Sequence, residues 1–325
     1  MTKSNGAAGA PRRDTDPVIA NVDVVLPFQL EQSGFRGRLV RLGPGLDEIL
    51  NRHAYPAPVA QLLAETIVHA AALAANLKYD GIFTLQTKGD GPVAYTVADV
   101  TSVGDLRGYA RFDGDRLTEQ QSHKGFLPDL GSLLGSGYLA FTVDQGEHTE
   151  RYQGIVELRG SGLSDAVRHY FRQSEQVATG IKAMAGKDAD GKWVGGAVLL
   201  QALPPDDVAL AADHQAGSRE EDWNRAMILL DTVTEKELLD RTLPADVLAY
   251  RLFHEEGLRL FDRRELRPGC RCSRERVVNA LQSIRREELD DMRVDGKVVV
   301  TCEFCNSAYA FDDADLDTVY GGAAF

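Results

Sequence analysis

The sequence predicts an α+β fold: a mostly antiparallel sheet domain with packed helices, then a helical linker, then a small C-terminal domain holding all the cysteines. Three observations carry this. Between residues 34 and 204, short segments of alternating polar and apolar residues recur, separated by turn chemistry. From Pro205 to Asp262 the alternation stops, and fourteen acidic residues stand against six basic ones. Then Cys270, Cys272, Cys302 and Cys305 fall close together, and no other residue of the 325 is a cysteine. That length suffices for two domains with one good hydrophobic core. The boundaries read as a disordered tail over 1–19, an α+β core domain over 20–204, a helical linker over 205–262 and the cysteine unit over 263–325.

The core domain opens on "GFRGRLVRLG", which alternates as a strand. "GLDEILNRHAYPAPVAQLLAETIVHAAALAANLK" predicts two helices broken at "YPAP": Pro56 restricts Tyr55 and Pro58 can open the next helix. The second helix is apolar almost all round, so it is expected to be buried. Its most apolar run, Ile67 to Leu77, is too short to span a bilayer and contains His69. Two alternating strands then flank Lys88–Pro92, which is turn chemistry. "DLRGYARFDG" is another strand, and "GYLAFTVDQGEHTERYQGIVELRG" a hairpin around Gln145–Thr149. "SDAVRHYFRQSEQ" is a helix with Ser164 as its expected N-cap. "IKAMAG" and "WVGGAVLLQALP" close the domain as strands.

In the linker, Trp223, Met227 and Leu230 form a stripe at i, i+4 and i+7. Thr234 with Glu237 fits a capping box, and Pro244 and Gly257 mark the start and stop of a second helical segment. These helices are short and highly charged, so packing must hold them, and they are candidates for a conditionally folded region.

The four cysteines can be a metal cage, a pair of disulfides, or an object that switches between the two. Ser273 caps a helix in which Val277, Leu281 and Ile284 share a face. "VVVT" and "AYAF" are the strands of a hairpin. Cys302 and Cys305 therefore sit at a hairpin tip, and Cys270 and Cys272 at a helix start. Two close pairs from two segments can set four sulfurs around one tetrahedral Zn²⁺, with Zn–S of about 2.3 Å. No fourth position stays open, so such a site is closed and is not a Lewis-acid catalyst. Its net charge of −2 is expected to be screened by Arg271, Arg274 and Arg276. A unit of this size rarely draws more than ~3–5 kcal/mol from its own core. A structural Zn²⁺ can contribute roughly 10–16 kcal/mol. Metal loss should therefore unfold the unit. The N-terminal stretch "MTKSNGAAGAPRRDTD" has no apolar segment of the kind a secretion signal carries, so the expected compartment is the cytoplasm, where clustered thiols bind metal or sense redox state.

"CRCSRER" and "CEFC", with 29 residues between Cys272 and Cys302, resemble the thirty-three-kilodalton heat-shock protein family, the redox-regulated holdase chaperones of bacteria. "RGRLVRLGPGLDEILNRHAYPAPVAQLLAE", "KYDG", "GDGPV", "ERYQGIVEL", "YFRQSEQ" and "LPADVLAYRLFHEE" are similar to family segments in the same order, and the resemblance covers roughly residues 34–312. It implies a reduced, zinc-bound, inactive form. Hypochlorous acid, or peroxide with unfolding stress, would form the Cys270–Cys272 and Cys302–Cys305 disulfides and release zinc. The C-terminal unit and linker would then unfold, and the protein would form a homodimer that holds unfolded or oxidatively damaged clients without ATP. Apart from the resemblance, the Trp223, Met227 and Leu230 stripe reads most simply as a core-facing face; the sharper reading is that it docks on the sheet domain and becomes client-binding surface on release. Two features depart from the family. The tail before about Asn21 lies outside the match, and "PPDDVALAADHQAGSREED" is longer and more acidic than expected.

The rival reading is a zinc-ribbon interaction or nucleic-acid module with a purely structural metal; the net charge of −13 weighs against phosphate-driven affinity. A thiol-disulfide oxidoreductase using Cys302 and Cys305 would have no need of Cys270 and Cys272, and its motif would open a helix after a strand. No catalytic residues are expected. "HEEGL" has Leu258 where a zinc protease needs its second histidine, and "KGDGP" and "GSLLGSG" lack the Gly-Lys-Ser/Thr of a phosphate loop.

Overall fold

The computed structural model describes residues 22–123, 125–146, 151–203 and 216–321. The expected N-terminal tail and the first part of the acidic linker lie outside the described residues. The chain begins with β1 (Val24–Leu30), β2 (Phe35–Leu42), α1 (Pro44–Leu50) and α2 (Ala57–Ala74). A meander of β3 (Ile82–Gly89), β4 (Val93–Thr101) and β5 (Asp105–Phe112) follows, then α3 (Gly114–Ser122) and α4 (Leu130–Leu134). The hairpin β6 (Gly137–Asp144) and β7 (Tyr152–Glu157) leads to α5 (Leu163–Tyr170), β8 (Thr179–Lys187) and β9 (Trp193–Ala202). The linker supplies α6 (Ala216–Asp231), α7 (Glu235–Leu239) and α8 (Ala245–Phe253), and three short strands come next: β10 (Leu258–Leu260), β11 (Arg264–Glu265) and β12 (Arg267–Pro268). The C-terminal unit is α9 (Arg274–Leu281), β13 (Arg293–Val294), β14 (Lys297–Thr301), β15 (Ala308–Phe311) and α10 (Asp313–Gly321).

These strands form three sheets, with orders β10-β1-β2-β9-β8, β12-β5-β4-β3-β6-β7 and β13-β14-β15; β11 also pairs with β1. All pairings are antiparallel except β12 on β5. Helix α2 packs against strands of both large sheets, and Leu63, Ile67 and Val68 are fully buried. A β-carbon on Gly108 of β5 would lie 2.7 Å from Ile67 Cδ1, so glycine is what lets the helix approach. As a whole helix, α2 is longer than its most apolar run, and by length and composition alone it could cross a bilayer. Yet 78% of it is buried, which makes it the core helix of this protein.

Strand β9 explains why "WVGGAVLLQ" carries no alternation. It is buried along almost its whole length, because α1 and α2 cover one face of its sheet and the linker helices cover the other. Its two glycines face opposite ways. A β-carbon on Gly195 would meet Val68 of α2 at 2.5 Å, and one on Gly196 would meet the Leu238 carbonyl of α7 at 2.6 Å.

The linker helices build a second core on that outer face. Phe28, Phe35, Leu39 and Leu200 pack against Leu230, Leu248, Leu252 and Phe253, and the Phe28 and Phe253 rings stack at 5.4 Å. Buried Arg41 of β2 donates from Nη1 to the Glu237, Leu238 and Asp240 carbonyls at 2.7, 2.8 and 3.1 Å, tying the end of α7 to the sheet. The Thr234–Glu237 capping box is present, and Gly257 ends the last turn with φ of 70°.

Two local readings are corrected. Ser164 does not cap α5: Gly162 holds that position, and the Ser164 hydroxyl instead meets His69 Nε2 at 2.9 Å. Strand β1 was not predicted. Residues 264–268, assigned by sequence to the cysteine unit, pair here with β1 and β5, so the third sheet starts beyond them.

Candidate metal centre

Strand β12 delivers the first cysteine pair. The Gly269 N–H donates to the Leu106 carbonyl at 2.9 Å, which holds the chain on β5 until Cys270. Ser273 then caps α9 by accepting from the Arg276 N–H, so Cys272 directly precedes a fixed helix start. The second pair lies in the turn between β14 and β15. The Cys302 N–H donates to the Ser307 carbonyl at 2.9 Å, and the Asn306 N–H to the Cys302 carbonyl at 2.8 Å. Asn306 takes a left-handed φ of 60°, which closes the turn. Asparagine tolerates that conformation better than most residues.

The four sulfurs lie within 4.8 Å of one another. Cys272 and Cys305 approach to 3.3 Å, and Cys270 and Cys302 to 3.7 Å. A tetrahedral Zn²⁺ with Zn–S of about 2.3 Å needs its sulfurs about 3.8 Å apart. The donor set and its spacing therefore fit a closed four-thiolate site. All four predicted ligands are brought together, from segments about thirty residues apart.

Their environments differ. Burial pushes the Cys272 thiol up to about 12; the other three thiols add to this, and the Tyr309 hydroxyl, 3.1 Å from its sulfur, opposes it. Burial also raises the Cys302 thiol, against the Cys305 and Phe304 N–H groups that point at its sulfur. Burial acts the same way on Cys305, but the Ser307 hydroxyl and N–H, with the Cys272 and Cys270 thiols, hold it down to about 6. Four crowded thiols cannot all ionise without a cation between them, and a dication reverses that by favouring every thiolate.

Two of the three arginines expected to screen the sulfurs are engaged elsewhere. Arg271 Nη2 lies 2.6 Å from Asp99 of β4. Arg274 pairs with Asp315 at 2.9 Å, donates to the Ala310 carbonyl and lies over the Phe311 ring. Backbone amides, Ser307 and Tyr309 surround the sulfurs instead. Ser307 and Tyr309 were readable as neighbours of the second pair, whereas Asp99 lies too far away in sequence to be found there.

The other motifs resolve as structure. His254 and Glu256 belong to a single 3₁₀ turn; buried Glu256 takes Arg225 at 2.7 Å. Met227 and Leu230 of α6 pack directly on Gly180 of β8, and Trp223 meets the Phe35 ring edge-on at 5.2 Å.

Comparison with known proteins agrees with this arrangement. A family model described as Hsp33 protein matches residues 23–312. A 33 kDa chaperonin of Caulobacter vibrioides is 40% identical over 295 residues, 89% of this chain and 95% of its own. One from Ectopseudomonas mendocina is 39% identical over 300 residues, 91% and 94% of the two chains. The crystal structure of the 33 kDa chaperonin (heat shock protein 33 homolog) of Thermotoga maritima superposes with a TM-score of 0.76 at 26% identity, covering 91% of this chain and 97% of that one. With the match running from β1 through the third sheet and taking in all four cysteines, this chain belongs to the Hsp33 family.

Proposed function

We propose that this chain is a redox-switched holdase chaperone and not an enzyme. Reduced and metal-loaded, it is folded and inactive; oxidised, it partly unfolds and binds unfolded or oxidatively damaged proteins, protecting them from irreversible aggregation. The observation that carries this reading is the convergence of four sulfurs within 4.8 Å in a unit whose own buried core is six residues. Held by four thiolates, Zn²⁺ would leave no open position and would supply folding free energy, on the order of 10–16 kcal/mol.

The chain's own residues carry the switch. Cys270 with Cys272, and Cys302 with Cys305, form two disulfides. In each, two thiols give up two protons and two electrons, which reduce hypochlorous acid to chloride and water with one proton released, or hydrogen peroxide to two waters. In the folded cage close approaches run between the pairs, Cys272 to Cys305 at 3.3 Å and Cys270 to Cys302 at 3.7 Å. Local pairing is therefore a property of the opened chain, where loops of one or two residues close far more readily than loops of about thirty. With the thiolates consumed, the 263–325 unit has no metal ligands, and the chain that follows the 205–262 linker is no longer held in a folded unit. Release of α6 turns the Trp223, Met227 and Leu230 face outward as client-binding surface, and the 20–204 domain supplies further client contacts and the homodimer interface. The reducing cytoplasm sets the resting state.

One titration tests this. The zinc-loaded protein is treated with hypochlorous acid while zinc release, thiol loss and suppression of client aggregation are followed together. All three should advance in step. Zinc release without suppression of aggregation sinks the chaperone reading. Salt-dependent nucleic-acid binding by the zinc form would favour the structural-ribbon alternative, and multiple-turnover reduction of a disulfide substrate an oxidoreductase.

A further inference from the structure

Each cysteine pair aims its intervening residues at the same spot on the second sheet. Arg271, between Cys270 and Cys272, reaches Asp99 Oδ2 at 2.6 Å. Phe304, between Cys302 and Cys305, lies under the Arg107 guanidinium of β5, 3.7 Å from ring centroid to carbon, with the Tyr109 ring 6.2 Å away. Arg107 itself pairs with Asp99 at 2.6 Å, and the Thr84 hydroxyl donates to Asp99 Oδ1 at 2.6 Å. Asp99 is only 4% exposed. A further contact runs from Asn306 Nδ2 to the Arg52 carbonyl at 3.3 Å. Asp99 and Arg107 face each other across β4 and β5, so this platform is preformed by sheet register.

We propose that the Asp99–Arg107–Tyr109 platform is the docking surface for the two cysteine loops, and that it sets how easily the thiols are oxidised. The proposal rests on the redox reading above and adds a contact between the switch and the sheet domain that does not pass through the linker. Its logic is avidity. Arg271 only shares Asp99, which Arg107 and Thr84 already satisfy, and one cation–π contact contributes little alone. Held in one cage, Arg271 and Phe304 dock together, and the second contact forms as an intramolecular event. Once the cage opens into two independent loops, that advantage is lost and both let go. Asp99 keeps Arg107 and Thr84 when Arg271 leaves, so release strands no buried charge on the sheet.

The full zinc-loaded chain is compared with Phe304→Ala and Asp99→Asn under hydrogen peroxide. Thiol loss should quicken about tenfold in each, a loss of local protection of the kind undocking produces. Zinc affinity against a chelator should change by less than about threefold. The double variant should be no faster than the faster single one, since both remove a single docking event. Amide exchange at Gly269, whose N–H bonds to Leu106 of the sheet, should rise while Cys302, β14 and β15 stay protected, marking undocking without unfolding. Phe304 touches the sheet domain only from outside, so its truncation leaves that domain intact if Asp99→Asn proves unstable. Unchanged thiol loss and exchange in Phe304→Ala overturn the proposal. So does a loss of zinc affinity that matches the gain in oxidation rate, because the residues would then act on the cage itself. None of these readouts needs a client. If the variants behave as expected but aggregation is never suppressed, the docking surface stands and the holdase reading falls.

Discussion

The core around α2 and the core beneath the cysteines belong to one chain but rest on different forces. The first fills the space between a helix and two sheets with dozens of buried side chains. Among the described residues the second has six, Leu281, Leu289, Val298, Phe311, Leu316 and Val319, under a three-stranded sheet. Apolar burial stabilises by roughly 25 cal/mol per Å², so the first region folds on area alone and the second does not. Between them lies the linker core, well packed on the first sheet but built on helices too short and charged to stand free of it. The difference is what the proposed switch would use: a unit with little core of its own can fold conditionally if its stability comes from something that chemistry can remove.

The largest expected effect breaks the contrast directly. Cys302→Ser, or a strong chelator under reducing conditions, should unfold the 270–321 unit and leave the two large sheets folded, because a metal contribution on the order of 10 kcal/mol exceeds what six buried residues supply. Limited proteolysis should cut the C-terminal unit while a resistant fragment covering β1 to β9 survives.

A smaller effect should come from Phe253→Ala. Its fully buried ring stacks on Phe28, and truncation should cost about 3–5 kcal/mol. This weakens linker docking without touching a cysteine, so binding of a hydrophobic dye should rise in the fully reduced protein. Absence of that rise would place the conditional behaviour in the cysteine unit alone.

The permanent core has its own weakness, towards acid. Burial holds His69 of α2 down to about 4, against an ordinary 6.5. Above pH 6.5 neither the folded nor the unfolded state holds the proton. As pH falls from 6.5 towards 4, the unfolded chain takes it up and the folded one does not, so stability drops by about 3 kcal/mol and levels off below 4. Chemical denaturation at pH 7.5 and pH 4.5 should show this loss, and His69→Gln should diminish it.

Thr234→Ala should have the mildest effect. It removes the capping box of α7 and should cost about 1 kcal/mol. The change should lower the temperature at which the linker is cut and leave zinc binding as it was.

Sequence patterns located most elements where a face is half-buried. Strands β2 to β7 alternate, so their period is visible. Strand β1 escaped because it is buried on both faces and shows no alternation, and because it contains Pro27. That proline falls where β10 ends and β11 has not begun, so its missing N–H removes no ladder bond there. Strands β11 and β12, two residues each, carry no pattern; α3 buries only Leu117 and so shows no apolar face, and α4 is five residues long.

By itself the sequence determined that the four cysteines converge, because two close pairs can meet only if a helix start and a hairpin tip are brought together, and both are local signals. It also determined the buried helix α2 and the short, charged linker helices. What those pieces lean on was decided only in three dimensions. That Arg271 turns to Asp99 instead of screening the sulfurs, that Phe304 lies under Arg107, and that residues 264–268 stitch β1 to β5 depend on pairings between segments more than 150 residues apart. Local propensity reports what a segment can become. Which buried charge it will meet follows from sheet register, and register forms only when the whole chain has folded.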